Sequence, residues 1–210
     1  VGVPSIIMQS ISSVMTFGMN KILIGFSETA VAVFGVYFKL QSFIFMPIFG
    51  LNNGMIPIVA YNYGARSKKR IMETVWLSIG IAVGIMLIGL MVFHLMTPQL
   101  LMLFQADEEM LSIGVPALRI ISLSFLFAGY CIIVGSVFQA LGNGVYSLII
   151  SVARQLVCIL PLAWFFARTF GLHAVWLSLP LAEITSVVLS SVLFRKIYLD
   201  KIKPLGQPAA

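Results

Sequence analysis

The stretch from residue 71 to residue 96 reads IMETVWLSIGIAVGIMLIGLMVFHLM, and its one carboxylate, Glu73, lies in the first turn. An α-helix rises 1.5 Å per residue, so a run of this length crosses about 30 Å of hydrocarbon. A soluble core does not need so long an apolar run. The stretch therefore predicts a transmembrane helix.

The composition of the whole chain agrees with this interpretation. Of its 210 residues, 60% are hydrophobic and 10% are charged, whereas soluble globular chains carry about 45–50% apolar and about 25% charged residues. The net charge of +6 is no sign of nucleic-acid binding, because the basic residues cluster beside apolar runs without interleaved aromatic residues. We expect the lipid bilayer as a partner and no nucleic acid.

Six apolar spans follow one another along the chain, which predicts an all-α membrane protein built as a six-transmembrane-helix bundle. We place the bundle at 1–196 and a polar cytoplasmic tail at 197–210. The stretch 97–116, which contains the acidic cluster at 107–109, is interpreted as an external loop. The predicted spans are 6–24, 31–61, 71–96, 117–141, 145–167 and 173–194.

The Lys and Arg residues near the span ends predict the orientation, because positive residues are retained on the cytoplasmic side. They cluster in the loop at 62–70 and in the tail from Arg195 onward. Six spans place these two segments on the same side. We therefore predict a multi-pass protein of the cell membrane with both ends in the cytoplasm.

Polar residues inside the spans recur at helical spacing, which gives four spans a face that is poorly suited to lipid. Such a face either lines a polar cavity or lets small and hydroxyl residues mediate helix packing. The polar faces are Gln9, Ser13, Thr16 and Asn20 on the first span, Gly35, Lys39 and Ser42 on the second, Ser147, Ser151, Arg154 and Cys158 on the fifth, and Glu183, Ser186 and Ser190 on the sixth.

Three charged residues lie well inside the spans, where each costs about 2.5–3.5 kcal/mol unless it is paired or hydrated. Arg154 and Glu183 lie near the midplane on consecutive antiparallel spans, at heights that differ by about 6 Å. We predict an ion pair between them, either structural or part of proton or cation coupling. Lys39 has no carboxylate at helical spacing and is interpreted as a marker of a cavity.

Helix breakers and small residues give further predictions. Pro47, Pro57 and the glycines between them predict a kink or an unwound section in the second span, which either lines a transport site or only helps packing. Gly80 and Gly84 predict close packing of the third span. No phosphate-binding loop, zinc pattern or nucleophile elbow occurs, so we expect no enzyme, no catalytic residue and no metal site.

A 20-residue segment carries a family resemblance. Residues 46–65, MPIFGLNNGMIPIVAYNYGA, are followed by a basic loop, and they resemble the eighth-helix segment of the multidrug and toxic compound extrusion (MATE) transporters. The motifs PALRI (116–120), FQALG (138–142), RQ (154–155) and LPL (160–162) are similar to the tenth and eleventh helices of a bacterial branch of that family.

The resemblance implies that the chain is the C-terminal lobe of a twelve-helix antiporter. Such a protein exports amphipathic, often cationic, small molecules against Na⁺ or H⁺, without a cofactor. The partner of this lobe is then an N-terminal six-helix lobe of the same protein, in agreement with a chain that starts at Val1 without an initiator Met. We expect the substrate cavity to be lined by Gln9, Asn20, Lys39, Phe43 and Asn53.

Two alternatives remain open at this level. Lys39 and Arg154 repel cations unless carboxylates of another lobe balance them. Without such carboxylates, the substrate is expected to be neutral or anionic. A flippase for lipid-linked sugars would use both cations to bind phosphate. A transport-inactive membrane scaffold subunit would use the polar faces only for packing, and would have no water-accessible cavity at Lys39.

Overall fold

The computed structural model describes residues 2–206, and within that range the regular secondary structure is helical throughout. Residue 1 and the last part of the predicted tail, 207–210, lie outside the described residues. The helices are α1 (Gly2–Ile24), α2 (Glu28–Gly64), α3 (Lys68–Leu95), α4 (Thr97–Met102), α5 (Glu108–Ser122), α6 (Phe125–Ala140), α7 (Gly144–Val152), α8 (Leu160–Thr169), α9 (Leu172–Val175) and α10 (Ser178–Ile197).

The apolar helices are long enough for a membrane. Four of the described helical runs qualify by length and composition, or up to five if the bent pair α5–α6 is one span. The four are α2, α3, the run Gly144–Thr169 and the run Leu172–Leu205. Helix α1 has 23 residues, but Gln9, Asn20 and Lys21 lower its hydropathy. The all-α membrane fold is confirmed, with four or five qualifying spans where the sequence predicts six.

The predicted fourth span and the loop before it are wrong in their boundaries. Helix α5 begins at Glu108, within the stretch interpreted as a loop, and α5 and α6 meet at a bend of 49°. Asp107 explains the early start, because its carboxylate accepts a hydrogen bond of 2.8 Å from the Met110 N–H. The acidic residues of the first turn also face the positive end of the helix dipole.

The second span contains no unwound section. Helix α2 runs for 37 residues through Pro47 and Pro57, so the unwound section is wrong, whereas the kink stays a prediction. Both prolines lie on the exposed side of the helix, where the carbonyls that they leave without a donor are away from the packed face. The packed face keeps its full contact with α3 and α6.

Close helix packing occurs at a different glycine from the predicted pair. A Cβ atom added at Gly80 or Gly84 would meet nothing within 4 Å, so the prediction of close packing there is wrong. At Gly129 on α6, an added Cβ atom would lie 3.1 Å from the backbone of Ala82 on α3. The α3–α6 contact therefore depends on the missing side chain of Gly129.

The two basic segments lie at the same end of the bundle, as the predicted topology requires. Lys68 at the start of α3 lies 5.3 Å from the ring centre of Tyr198, and the Lys201 ammonium donates to the Leu141 carbonyl at 2.9 Å. The chain beyond α10 continues as a π-helical turn and a 3₁₀ turn to Gly206, with Ile202 fully buried. The described part of the predicted tail, 197–206, is thus packed against the start of α3 and the loop after α6.

Replacing Gly129 with Val should lower the stability of the bundle by about 1–3 kcal/mol, because the larger side chain forces α6 away from the α3 backbone. The measurement is the thermal unfolding midpoint of the purified protein in detergent. Gly80→Val is the matched control and should leave the midpoint nearly unchanged, since that position faces open space. Equal effects of both substitutions would contradict this packing.

Candidate functional site

A cavity of about 500 Å³ opens between α1, α2, α6, α7 and α10. It has a polar part that carries amides and the two charged residues, and an apolar part. The polar part includes five serines and also Gln9, Gln41, Asn52, Asn53, Gln139, Arg154, Gln155 and Glu183, and the large apolar side chains are Met8, Phe45, Phe49, Ile56, Ile132 and Ile150. An amphipathic lining of this kind suits small organic molecules.

Helices α2 and α6 both contribute to the walls of this cavity. On α2, Gln41, Phe45, Asn52 and Ile56 recur at intervals that place them on one face. On α6, the lining includes Ala128, Gly135 and Ser136 among other small residues. The small side chains of α6 leave the space that the long side chains of α2 do not fill.

The Arg154–Glu183 ion pair that the helix heights predict is present. Arg154 Nη1 donates to Glu183 Oε1 at 2.5 Å. The carboxylate side chain is 7% exposed and the guanidinium side chain 34%, so Glu183 is buried while Arg154 extends towards the cavity. The pair links α10 to the helix that follows α7.

A π-helical segment, Ala153–Ile159, carries Arg154 and Gln155. It lies just before Pro161, whose ring cannot donate a hydrogen bond and clashes with the carbonyl four residues earlier. The wider π turn accommodates this clash, and such turns are frequent at functional sites. Both side chains line the cavity.

The sequence-predicted site residues divide into two groups. Four of them, Gln9, Asn53, Arg154 and Glu183, line the cavity, and three, Asn20, Lys39 and Phe43, do not. Lys39 is exposed and its ammonium lies 5.8 Å from the centre of the Phe104 ring. Phe43 is 71% exposed.

The error on α2 is one of helix phase. Lys39 precedes the cavity residue Gln41 by two positions, a rotation of about 200° around the helix axis. None of the three residues of the predicted face, Gly35, Lys39 and Ser42, lines the cavity. Lys39 is not a marker of this cavity.

Sequence reasoning missed four amides of the lining, Gln41, Asn52, Gln139 and Gln155. Two of them could have been found from the sequence, because Asn52 adjoins the predicted site residue Asn53 and Gln155 adjoins the predicted site residue Arg154. An uncharged amide within an apolar span is itself an indication of a polar cavity, because its groups need hydrogen-bond partners.

The formal charges in the cavity lining cancel. Among the described residues, Arg154 and Glu183 are the only lining side chains that carry full charge. Arg154 therefore needs no carboxylate from outside the chain. No group of three His, Cys, Asp or Glu side chains in residues 2–206 is placed to hold a metal ion.

Solute transporters are among the membrane proteins that have an all-helical bundle around an amphipathic cavity. Residues 4–165 match the family model described as MatE, and the chain belongs to the MatE family, that of the MATE transporters. A relative is the multidrug export protein MepA of Staphylococcus haemolyticus (strain JCSC1435), which is 27% identical over 183 residues, or 87% of this chain and 40% of the relative.

Solved structures agree with the family and define the matched part. The outward-facing conformation of a multidrug resistance MATE family transporter of the MOP superfamily is 25% identical, with a TM-score of 0.88 over 98% of this chain and 46% of that chain. The inward-facing conformation of a multidrug resistance MATE family transporter has the same identity and TM-score, over 100% of this chain and 48% of that chain. The chain spans about two fifths of the length of its relative MepA and just under half of these structures.

Replacing Arg154 with Met should destabilise the bundle by about 3 kcal/mol, because Glu183 then remains buried without its counter-ion. The double variant Arg154→Met, Glu183→Leu should recover most of this loss, since it removes both charges. Thermal unfolding in detergent is measured for the unsubstituted protein, for Arg154→Met, for Glu183→Leu and for the double variant, which together form a double-mutant cycle. If Arg154→Met were as stable as the double variant, this would contradict the energetic role of the pair.

Proposed function

We propose that the chain forms the C-terminal lobe of a secondary active transporter, which exports amphipathic small molecules by cation-coupled antiport. The cavity carries this proposal, because it joins aromatic side chains, amides and a buried ion pair within about 500 Å³. That volume lies in the range of small-molecule sites, which is about 300–1,000 Å³. Membership of the family adds independent support.

Cationic substrates are compatible with this cavity. The charge of Arg154 is balanced by Glu183, and Lys39 lies outside the lining. Phe45 and Phe49 offer aromatic faces for the apolar part of a substrate, and these faces also attract cations. A substrate that is both apolar and positively charged therefore meets no repulsive group among the described lining residues.

Coupling to Na⁺ or H⁺ is assigned to Glu183. One carboxylate oxygen binds Arg154, and the second is buried without a hydrogen-bond partner among the described residues. A proton or Na⁺ on this carboxylate weakens its attraction for Arg154. The ion would thus change the position of a guanidinium that borders the substrate cavity.

Alternating access would result from movement of this lobe against an N-terminal lobe of the same protein. The equal TM-scores with an outward-facing and an inward-facing transporter support a lobe that moves as one body. We place it in the cell membrane with both ends in the cytoplasm, as the common location of the basic segments favours.

Neither alternative function gains support from a particular contact. A flippase that binds lipid phosphates requires unpaired cations in the cavity, but Arg154 is paired and Lys39 lies elsewhere. A scaffold would use its polar faces only for packing, whereas Gln9, Arg154 and Glu183 line a cavity here, although Lys39 lies outside it.

Replacing Glu183 with Gln should lower the initial rate of gradient-driven ethidium efflux by at least about tenfold, since a neutral amide no longer exchanges a proton or Na⁺. The assay uses the natural full-length protein in proteoliposomes, with imposed pH and Na⁺ gradients at several pH values. Glu73→Gln is the control, because Glu73 is 62% exposed in a surface pair with Lys69. Unchanged coupled transport by the Glu183 variant at every pH would disprove the coupling role.

A further inference from the structure

The net charge of the chain lies at one end of the bundle. The segments 66–73 and 195–203 carry eight Lys or Arg residues and two carboxylates, which accounts for the whole of the +6. The two segments also meet, since the Lys201 ammonium lies 6.0 Å from the centre of the Tyr63 ring at the end of α2. They form one basic surface, and clusters of Lys and Arg beside membrane spans attract anionic lipids.

An open groove of about 690 Å³ leads from this basic surface along the exposed face of α3. Residues 69, 72, 73 and 76 recur at intervals of three and four, which places them on one face of the helix. Ile71 and Val75 are fully buried on the packed face, whereas Trp76 is 58% exposed. The groove is lined by Ser67, Lys68, Lys69, Met72, Glu73 and Trp76.

The length of the groove matches the depth of the lipid interface. Trp76 follows Ser67 by nine residues, or about 14 Å along the helix axis. The headgroup layer on each side of a bilayer is about 5–8 Å thick. The end of the groove with the two lysines therefore lies beside the headgroups, and the end with Trp76 lies beside the upper part of the acyl chains.

Both lysines of the groove are available to an anion. Lys69 pairs with Glu73 at 3.8 Å, and the two side chains are 87% and 62% exposed, so the pair is weak. The Lys68 ammonium lies 5.3 Å from the centre of the Tyr198 ring, which holds the cation without neutralising it. Among residues 2–206, no carboxylate forms an ion pair with Lys68. A phosphate group, which offers several acceptor oxygens, fits two such donors.

We infer that the groove binds one anionic phospholipid, whose phosphate contacts Lys68 and Lys69. One acyl chain of this lipid packs against Met72 and Trp76. Phosphatidylcholine fits less well, because its own cationic group lies close to the phosphate and is repelled by the same lysines. The inference goes beyond the proposed function and does not depend on transport, since α3 contributes no residue to the cavity lining.

The test uses the quenching of tryptophan fluorescence by bromine atoms, which acts only at close contact. The natural full-length protein is placed in phosphatidylcholine nanodiscs that contain a small fraction of brominated phosphatidylglycerol or, separately, of brominated phosphatidylcholine. Brominated phosphatidylglycerol should quench at least about twofold more strongly at the same fraction. In Trp76→Phe this excess should disappear, which assigns it to the groove and not to another tryptophan.

A matched pair of variants separates the groove from the basic surface as a whole. Lys68→Gln combined with Lys69→Gln should lose most of the excess quenching. Arg195→Gln combined with Lys196→Gln removes the same charge from the same end of the bundle, outside the groove, and should keep most of it. Each pair contains one lysine that lies over a tyrosine ring, and thermal unfolding midpoints are measured for both. Equal losses in the two variants would overturn the inference.

Two further outcomes decide what occupies the groove. Excess glycerol phosphate, which carries the headgroup phosphate without acyl chains, should leave the quenching unchanged. If it removed the excess, the site would be one for soluble phosphates and the lipid would be the wrong ligand. Equal quenching by the two brominated lipids would also overturn the inference. Selective quenching in a protein that exports no ethidium would support the lipid site and contradict only the proposed function.

Discussion

The ion pair between Arg154 and Glu183 is the interaction on which the polar middle of this bundle depends. A single charge at that depth would be costly in hydrocarbon, and the pair removes most of the cost by direct neutralisation. Because Arg154 donates to one carboxylate oxygen at 2.5 Å, α10 is held against the π segment after α7. The same contact leaves a neutral polar cavity within an otherwise apolar lobe.

The walls around this pair explain how a membrane protein can hold amides away from lipid. Small residues of α6, such as Gly135 and Ser136, leave space beside the long side chains of α2. Gly129 brings α6 close to the α3 backbone, and this contact holds α6 in place beside the cavity. The cavity is therefore a product of helix packing, and its lining combines aromatic rings with oxygen acceptors.

The sequence predicted the fold class and the ion pair for physical reasons that apply generally. Long apolar runs require helices in a membrane, and charge heights on consecutive spans follow from the helical rise. The face of α2 that lines the cavity was harder to predict. Lys39 and Gln41 are both polar, and only the packing of the helix decides which of them faces the cavity. Asp107 was taken for a loop residue, although its carboxylate caps α5, since a cap and a polar loop have the same composition. The prolines and glycines of α2 likewise suggested an unwound section, although the helix stays continuous.

The most direct measurement is the access of water to the cavity in the membrane. In a Cys131→Ser, Cys158→Ser background, Asn53→Cys places a thiol in the lining and Val188→Cys places one on a 58% exposed position outside it. Labelling with a water-soluble maleimide is followed in vesicles of both orientations, with and without substrate. The account predicts fast labelling at position 53 that substrate suppresses, and slow labelling at position 188. Equal rates at both positions, unaffected by substrate, would contradict it.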